Sequence, residues 1–212
     1  LTELTRNWKR TNKELADELT RYRNRIRGIE RKVKTISYTD FKQFRKKLMG
    51  WEGFSAKLYF EALRLIIPKE FGYTGIRTRR PPKDLFNASI SFGYAYLKYL
   101  IERKLLLLGI NPYYGILHEE SDKVYPFLAF DMMEGFRHSF IDRAVINLIS
   151  KRKLNPNKHS IKFHDGIFLN KHGKENVYKM LHSLGNKKFY KLMDNEIKTF
   201  LKVFWKLVLW NA

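Results

Sequence analysis

The chain has 212 residues, which is long enough to bury a hydrophobic core and to form one domain, or one domain with a helical appendage. It contains no cysteine, so disulfides, zinc–thiolate sites and thiol catalysis are excluded, and a metal site would have to use His, Asp, Glu and carbonyl oxygen. No window reaches the roughly 18 uninterrupted apolar residues of a membrane span, and no secretory signal opens the chain. We therefore expect a soluble, cytoplasmic protein.

The charge is strongly positive and unevenly distributed. The chain has 42 Lys+Arg against 21 Asp+Glu, a net charge of +21. Such an excess is typical of nucleic-acid-binding proteins, although ribosomal-type proteins and membrane-surface binders share it. Residues 1–50 carry +9, residues 51–150 carry +2 and residues 151–212 carry +10. This pattern predicts phosphate binding by the two flanks and a cation in the nearly neutral middle.

Apolar spacing predicts helices through most of the chain, and the predicted fold class is mainly α. From residue 12 to 36 the apolar residues step by 4 and 3, which indicates a long amphipathic helix whose arginine-rich faces either follow phosphates or are simply solvated. A second helix is predicted to begin after Gly50 or Gly53 and to end before Pro68. We divide the chain into a basic amphipathic helical segment, 1–44, and a helical domain, 45–212.

The later elements are predicted from turn-forming residues and from the same helical spacing of apolar residues. Asp165–Gly166 between two short apolar runs predicts a small β-hairpin. Residues 72–89 contain glycines and prolines and are expected to form a loop, with Asp84 or Asn87 capping the next helix. Helices are predicted over 85–109, 128–150, 174–184 and 187–209.

Ionisable side chains occur where the apolar pattern predicts burial. Asp131 and Glu134 are three residues apart, and so share one helix face, and His118 lies upstream of them. Glu61 lies on the apolar face of the second helix, where it needs a partner, either a metal ion or a base such as Arg64. One imidazole with two or three carboxylates is a ligand set for Mg²⁺ or Mn²⁺. From spacing alone, ordinary ion pairs remain the alternative.

Other residues are candidates for the same cavity or for contacts with nucleic acid. His138 follows Glu134 by four residues and either faces the same cavity or is a surface or capping histidine. Tyr113 and Tyr114 precede His118 and could stack on an unpaired base. The loop before residue 85 is stiffened by two prolines and either captures phosphates or is merely solvated. Its cations are Arg77, Arg79, Arg80 and Lys83.

Four segments resemble a known family in order and spacing. They are YFEALR around Glu61, GIRTRRPPKDLFNASISFGYAYL, GINPYYGILHEE around His118, and FLAFDMMEGFRHSFIDRAVINLI around Asp131 and Glu134. Together they resemble the C-terminal helical catalytic domain of the CRISPR-associated adaptation integrase, Cas1. The resemblance covers roughly residues 45 to 185.

The resemblance implies a site and an activity. It implies that Glu61, His118 and Glu134 bind Mg²⁺ or Mn²⁺, with Asp131 lining the catalytic site beside them. It implies a metal-dependent DNA integrase and endonuclease that joins 3′-hydroxyl ends of a short duplex to the CRISPR repeat by transesterification and cleaves branched DNA. The family acts as homodimers bridged by a dimer of a second Cas protein, Cas2. Its small N-terminal β-rich domain has no counterpart in these residues, and the chain opens at Leu1 without an initiator Met, consistent with a fragment.

Two alternatives remain open. One is a transposon-borne integrase of the same fold, although such proteins usually add a C-terminal DNA-binding module and this chain has one amphipathic helix before Ala212. The other is a non-catalytic basic helical scaffold that only binds nucleic acid. A scaffold has no use for ionisable groups on otherwise apolar faces, so Glu61, His118 and Glu134 discriminate between the two classes.

Overall fold

The computed structural model describes residues 2, 12–37, 40–115, 125–184 and 187–210. In these ranges the backbone is mainly helical and includes a small two-stranded sheet, which confirms the mainly α fold class. None of the helices in these ranges combines the length and the apolar character needed to cross a bilayer. The chain divides into two compact units, Leu1–Asn87 and Ala88–Ala212.

The first unit contains two long helices that pack on each other, α1 (Lys13–Lys34) and α2 (Phe41–Leu63). Helix α1 begins at Asn12, whose side chain accepts a hydrogen bond of 3.0 Å from the Leu15 N–H. The last turn of α1 contains basic side chains, which interact favourably with the negative, C-terminal end of the helix dipole. The helix predicted over 12–36 is confirmed, and its buried residues are Ala16, Leu19 and Ile29.

Helix α2 begins ten residues or more before the predicted start, so that prediction was wrong. Asp40 caps it by accepting a hydrogen bond of 3.0 Å from the Lys42 N–H. Gly50 and Gly53 lie inside the helix, and a Cβ added at either would meet nothing within 4 Å. Each glycine costs a helix about 1 kcal/mol relative to Ala, which the tertiary packing of a 23-residue helix offsets. The helix also runs through the predicted boundary between residues 44 and 45.

A short 3₁₀ turn (Lys69–Phe71) and a loop connect α2 to α3 (Leu85–Leu107). Tyr73 anchors this connection, because its hydroxyl donates a 2.9 Å hydrogen bond to the Phe60 carbonyl and its ring meets the edge of Phe86 at 4.8 Å. The helix predicted over 85–109 is confirmed, and the loop predicted over 72–89 is confirmed only as far as residue 84, because α3 begins at Leu85.

In the second unit a π-helical turn, Arg137–Asp142, separates α4 (Phe127–Phe136) from α5 (Arg143–Ser150). The sequence predicts one continuous helix over 128–150. The helical conformation of this region is confirmed, but the prediction of an uninterrupted α-helix was wrong. A π turn inserts an extra residue into the helical register and is frequent at functional sites. Helix α3 approaches this turn closely at Gly93, where an added Cβ would lie 2.4 Å from Cγ2 of Ile141.

The remaining elements of the second unit begin with a one-turn helix and the predicted hairpin. Strand β1 pairs antiparallel with β2, and Phe163 lies opposite Gly166. The hairpin is confirmed, with His164 and Asp165 as its turn. The helices predicted over 174–184 and 187–209 are confirmed, the first beginning three residues earlier. These elements are α6 (Pro156–His159), β1 (Ser160–Phe163), β2 (Gly166–Leu169), α7 (Lys171–Leu184) and α8 (Lys187–Trp210).

Candidate active site and basic loop

Glu61 lies in the last turn of α2, between the buried residues Leu58 and Ala62. Its side chain is 35% exposed, and the ion pair that involves it is with Lys57, at 3.9 Å, rather than with Arg64. An exposed pair at that separation is worth little, because water screens it and the lysine must be ordered. The carboxylate therefore keeps the capacity to bind another cation.

Helix α4 carries Asp131 and Glu134, both partly buried, on either side of the buried Met133. Glu134 forms an ion pair with Arg137, the first residue of the π turn, and its side chain is 24% exposed. The Arg137 guanidinium also lies 5.2 Å from the centre of the Tyr94 ring, a cation–π geometry. Arg137 thus restricts the rotamer of Glu134 while its own position is fixed by α3.

A buried carboxylate connects the π turn to α3. Asp142 is fully buried, and its Oδ1 accepts a hydrogen bond of 2.7 Å from the Tyr94 hydroxyl. Its Oδ2 lies 2.8 Å from Nδ1 of His138, whose side chain is 47% exposed. His138 is therefore a surface histidine whose ring is held by Asp142, an arrangement that the sequence analysis did not identify. The signal was available, since Asp142 stands in an apolar run four residues after His138.

The basic loop is organised around Asn87, another fully buried polar side chain. Its Oδ1 accepts hydrogen bonds from Nη1 of Arg77 at 3.0 Å and from the Thr78 N–H at 3.2 Å. Its amide nitrogen donates to the Ile76 carbonyl at 3.0 Å and to Asp84 at 2.6 Å. One side chain thus fixes both ends of the loop.

Asp84 caps α3 by accepting a hydrogen bond of 2.7 Å from the Asn87 N–H, which decides between the two predicted caps. Burial raises the pKa of Asp84, because the charged form loses hydration; hydrogen bonds from Asn87 and the charge of Arg77 oppose the rise. Arg77 is partly buried and donates to the Thr78 carbonyl as well as to Asn87, so it holds the loop. The exposed cations of the loop are Arg79, Arg80 and Lys83.

The predicted metal ligands fall in different parts of the chain. Glu61 belongs to the first unit, whereas Asp131 and Glu134 belong to the second. His118 lies outside the described residues. Among the residues that the structure describes, no three His, Asp or Glu side chains are grouped as a metal site requires. Metal binding by Glu61, His118 and Glu134 stays a prediction. Tyr113 and Tyr114 are exposed, as base stacking requires.

Comparison with known proteins identifies the family. The profile described as CRISPR associated protein Cas1 matches residues 1–183. The CRISPR-associated endonuclease Cas1 1 of Archaeoglobus fulgidus is 33% identical over 161 residues, which are 74% of this chain and 46% of that protein. The CRISPR-associated endonuclease Cas1 3 of Thermus thermophilus is 39% identical over 62% of this chain and 39% of its own length. The chain thus spans less than half of these relatives.

Solved structures agree with this assignment. The Cas6-RT-Cas1–Cas2 complex matches 86% of this chain and 20% of its own, with a TM-score of 0.72 and 28% identity. A casposase bound to integration product matches 68% of this chain and 40% of its own, with a TM-score of 0.62 and 26% identity. A Cas1 protein from Thermotoga maritima matches 86% of this chain and 58% of its own, with a TM-score of 0.60 and 27% identity. The chain belongs to the Cas1 family, as the resemblance of its motifs had indicated.

Proposed function

We propose that this chain is the helical catalytic part of a metal-dependent DNA integrase and endonuclease that inserts short DNA spacers into a CRISPR array. The observation that carries the proposal is the Cas1 family match over residues 1–183, which includes every residue of the predicted site. The net charge of +21 supports a DNA substrate. Because DNA is its substrate, we place its action in the cytoplasm.

The donor set fits a divalent cation. Glu61 and Glu134 offer carboxylates that are partly shielded from water, with side chains that are 35% and 24% exposed. With the imidazole of His118 they make the mixed oxygen and nitrogen set that Mn²⁺ tolerates and that Mg²⁺ accepts less readily. When bound, the ion would polarise the phosphodiester and neutralise the charge that develops during in-line displacement.

The chain's own side chains have separate tasks in this proposal. Arg137 holds the Glu134 carboxylate in one orientation through its ion pair, and Asp131, on the same face of α4, orients the neighbouring ligand side chains. Arg79, Arg80 and Lys83 bind the phosphates of the DNA, and Arg77 contributes by keeping the loop in shape.

We also propose the partners that the family relationship suggests. Two solved neighbours are described as complexes of Cas1 with Cas2, and a third is described as bound to integration product. We therefore propose DNA and a Cas2 dimer as partners of this protein, together with a second copy of the chain as homodimer. Co-purification with Cas2 and measurement of mass in solution test both protein contacts.

The experiment that tests the function compares matched glutamate substitutions. With Mn²⁺ and a branched DNA substrate, Glu134→Ala is expected to reduce strand joining and cleavage by at least about 100-fold, because loss of even a supporting residue of a metal site costs 10–100-fold. DNA affinity should stay near the wild-type value. Glu196→Ala removes an exposed glutamate of α8 and should have no effect. Full activity of Glu134→Ala would show that the assigned site is wrong.

Two other outcomes would replace the proposed function with another one. If the purified protein binds DNA but neither binds Mn²⁺ nor cuts branched DNA, it is a non-catalytic scaffold. The similarity to the casposase favours a second candidate, a transposon-borne integrase. Joining reactions in which CRISPR-repeat and unrelated target DNA compete separate the two integrases, because only a CRISPR adaptation enzyme is expected to prefer the repeat.

A further inference from the structure

The β1–β2 hairpin turns an apolar face outward. Ile161 lies opposite Phe168 in the ladder, and Phe163 is two residues further along β1, so the three side chains share one face of the ribbon. Ile161 is 55%, Phe163 63% and Phe168 37% exposed. The two aromatic rings lie 6.5 Å apart. Clustered exposed apolar side chains mark an interaction site more often than scattered ones do.

The opposite face fixes the ribbon to the second unit. Leu169 is 5% exposed, and α7 approaches so closely at Gly173 that an added Cβ would lie 2.4 Å from the His159 carbonyl oxygen. Asn170 donates a hydrogen bond of 2.9 Å to the Lys158 carbonyl and accepts one of 2.9 Å from the Gly173 N–H. The outward face is therefore presented on a firm support, which lowers the entropy cost of binding.

The charge of the segment that contains the hairpin favours one class of partner over others. Residues 151–174 contain seven Lys or Arg and a single carboxylate, Asp165. All seven cations are exposed, and they are Lys151, Arg152, Lys153, Lys158, Lys162, Lys171 and Lys174. Lysine is depleted in protein–protein interfaces, whereas a basic surface with interspersed aromatic rings is the usual composition of a single-strand binding site.

We propose that this hairpin binds an unpaired segment of DNA, with a base stacked on Phe163 and exposed cations of residues 151–174 on the backbone phosphates. An unpaired base is required because paired bases inside a duplex do not expose a face to a side chain. Ile161 and Phe168 border the stacked base and exclude water from it. The inference rests on the proposed function, since it takes DNA as the ligand, and it adds a contact separate in sequence from the basic loop.

The test measures binding to single-stranded and double-stranded DNA by fluorescence anisotropy. Oligothymidine of about 12 nucleotides, within the usual size of such sites, is the single-stranded probe. Phe163→Ala is expected to weaken its binding roughly 5- to 150-fold, the loss that corresponds to one stacked base, and to leave duplex binding nearly unchanged. The control is Tyr99→Ala, which removes an aromatic ring that is 54% exposed on α3 and should change neither affinity.

A second variant keeps the test valid if the alanine substitution disturbs folding. Phe163→Trp preserves a stacking ring and places a fluorophore on the hairpin. Relative to the wild-type protein, its additional fluorescence should be quenched when oligothymidine is added, and its affinity should match or exceed that of the wild type. Absence of quenching at saturating oligothymidine would overturn the proposal.

The remaining outcomes are separable from failure of the proposed function. If Phe163→Ala binds oligothymidine as tightly as the wild type while Mn²⁺-dependent cleavage persists, the hairpin proposal alone is wrong. If the variant binds DNA normally but loses a protein partner, the face is a protein interface and the proposal is again overturned. A wild-type protein that neither binds nor cuts DNA would refute both proposals.

Discussion

Asp142 and Asn87 show how single buried polar residues organise the π turn and the basic loop of this chain. Each is fully buried and satisfied by specific partners: Asp142 by Tyr94 and His138, and Asn87 by Arg77, Thr78, Ile76 and Asp84. A buried polar group costs free energy unless it is hydrogen-bonded, so each network is stable only as a complete set. The first network holds the π turn against α3, and the second shapes the basic loop.

The Asp142 network makes a prediction about stability. Tyr94→Phe removes the donor to Oδ1 of Asp142 and leaves a buried acceptor short of one hydrogen bond. We expect the free energy of unfolding to fall by about 1–3 kcal/mol, as for other buried acceptors that lose a partner. Denaturant unfolding provides the measurement. Tyr99→Phe, on the exposed side of the same helix, is the control, and an equal loss in both variants would contradict the assigned role.

The Asp84 carboxyl makes a prediction about pH. Burial raises its pKa above the ordinary value of 3.8, so the folded protein holds this proton more tightly than the unfolded chain. Its contribution to stability is fully present below the ordinary value and is lost as pH rises through the raised pKa. Asp84→Asn does not titrate and retains a capping oxygen. Between about pH 3 and 7 the unfolding free energy of the wild type should therefore fall relative to this variant.

Denaturant unfolding of both proteins at several pH values measures that difference. The sign is opposite to that of a carboxylate stabilised by an ion pair, whose contribution grows with pH. A difference that stays constant or increases with pH would show that hydrogen bonds and the Arg77 charge outweigh burial at Asp84.

At the scale of elements, the π turn packs against α3 and follows α4, the helix that carries Asp131 and Glu134. Gly93 lets α3 approach the π turn at Ile141, and Phe140 in the same turn stacks on Phe189 of α8 at 3.7 Å. The π turn therefore packs on two different helices and is held in register from both sides. The π turn begins three residues after Glu134 and contains its ion-pair partner Arg137, so changes in the packing of the turn should reach that carboxylate.

Glycine substitutions test this packing. Gly93→Ala would place a Cβ 2.4 Å from Ile141 Cγ2, so the buried isoleucine or the helix must shift. We expect a loss of about 1–3 kcal/mol, typical of overpacking. Gly50→Ala is the matched comparison, because its Cβ would meet nothing within 4 Å in α2, and it should raise stability by up to about 1 kcal/mol. Thermal melting of both variants provides the measurement, and equal shifts would refute the close approach.

At the scale of the whole molecule, charge is the dominant property. The basic flanks and the basic loop predict that DNA affinity is dominated by phosphate contacts and therefore depends steeply on salt. Each phosphate contact contributes a slope of about 0.9 to the fall of log affinity with log salt concentration on duplex DNA. The contacts of the basic loop can be counted in this way on duplex DNA, and those of the hairpin on single-stranded DNA, where each contact contributes about 0.7.

The basic loop gives the more specific prediction for this salt dependence. Replacing both Arg79 and Arg80 by Ala should reduce that slope by roughly 2 and weaken binding at low salt, because both side chains are exposed and available to phosphates. Arg103→Ala removes an exposed arginine of α3 outside the loop and should leave the slope nearly unchanged. A slope that is the same in the double variant and the wild type would show that the loop does not contact DNA.

The sequence by itself determined the helical class, most helix positions, the hairpin and the family, because apolar period, turn residues and motif spacing are local properties. The predicted start of α2 was wrong. Gly50 and Gly53 indicated a break because glycine has a low helix propensity, but the packing of a long helix outweighs that cost. The π turn was also missed, since an inserted residue leaves no periodicity of its own. The metal site predicted from the sequence stays a prediction, because it includes His118, which lies outside the described residues.

Only the tertiary structure decided that the buried Asp142 carboxylate pairs with the Tyr94 hydroxyl. Tyr94 lies 48 residues from Asp142, and no local pattern connects the two. The same holds for the outward face of the hairpin: alternation shows that Ile161 and Phe163 share a face, but only the packing of Leu169 and Gly173 decides that this face meets solvent. Burial is a property of contacts distant in sequence, and the sequence alone does not specify them.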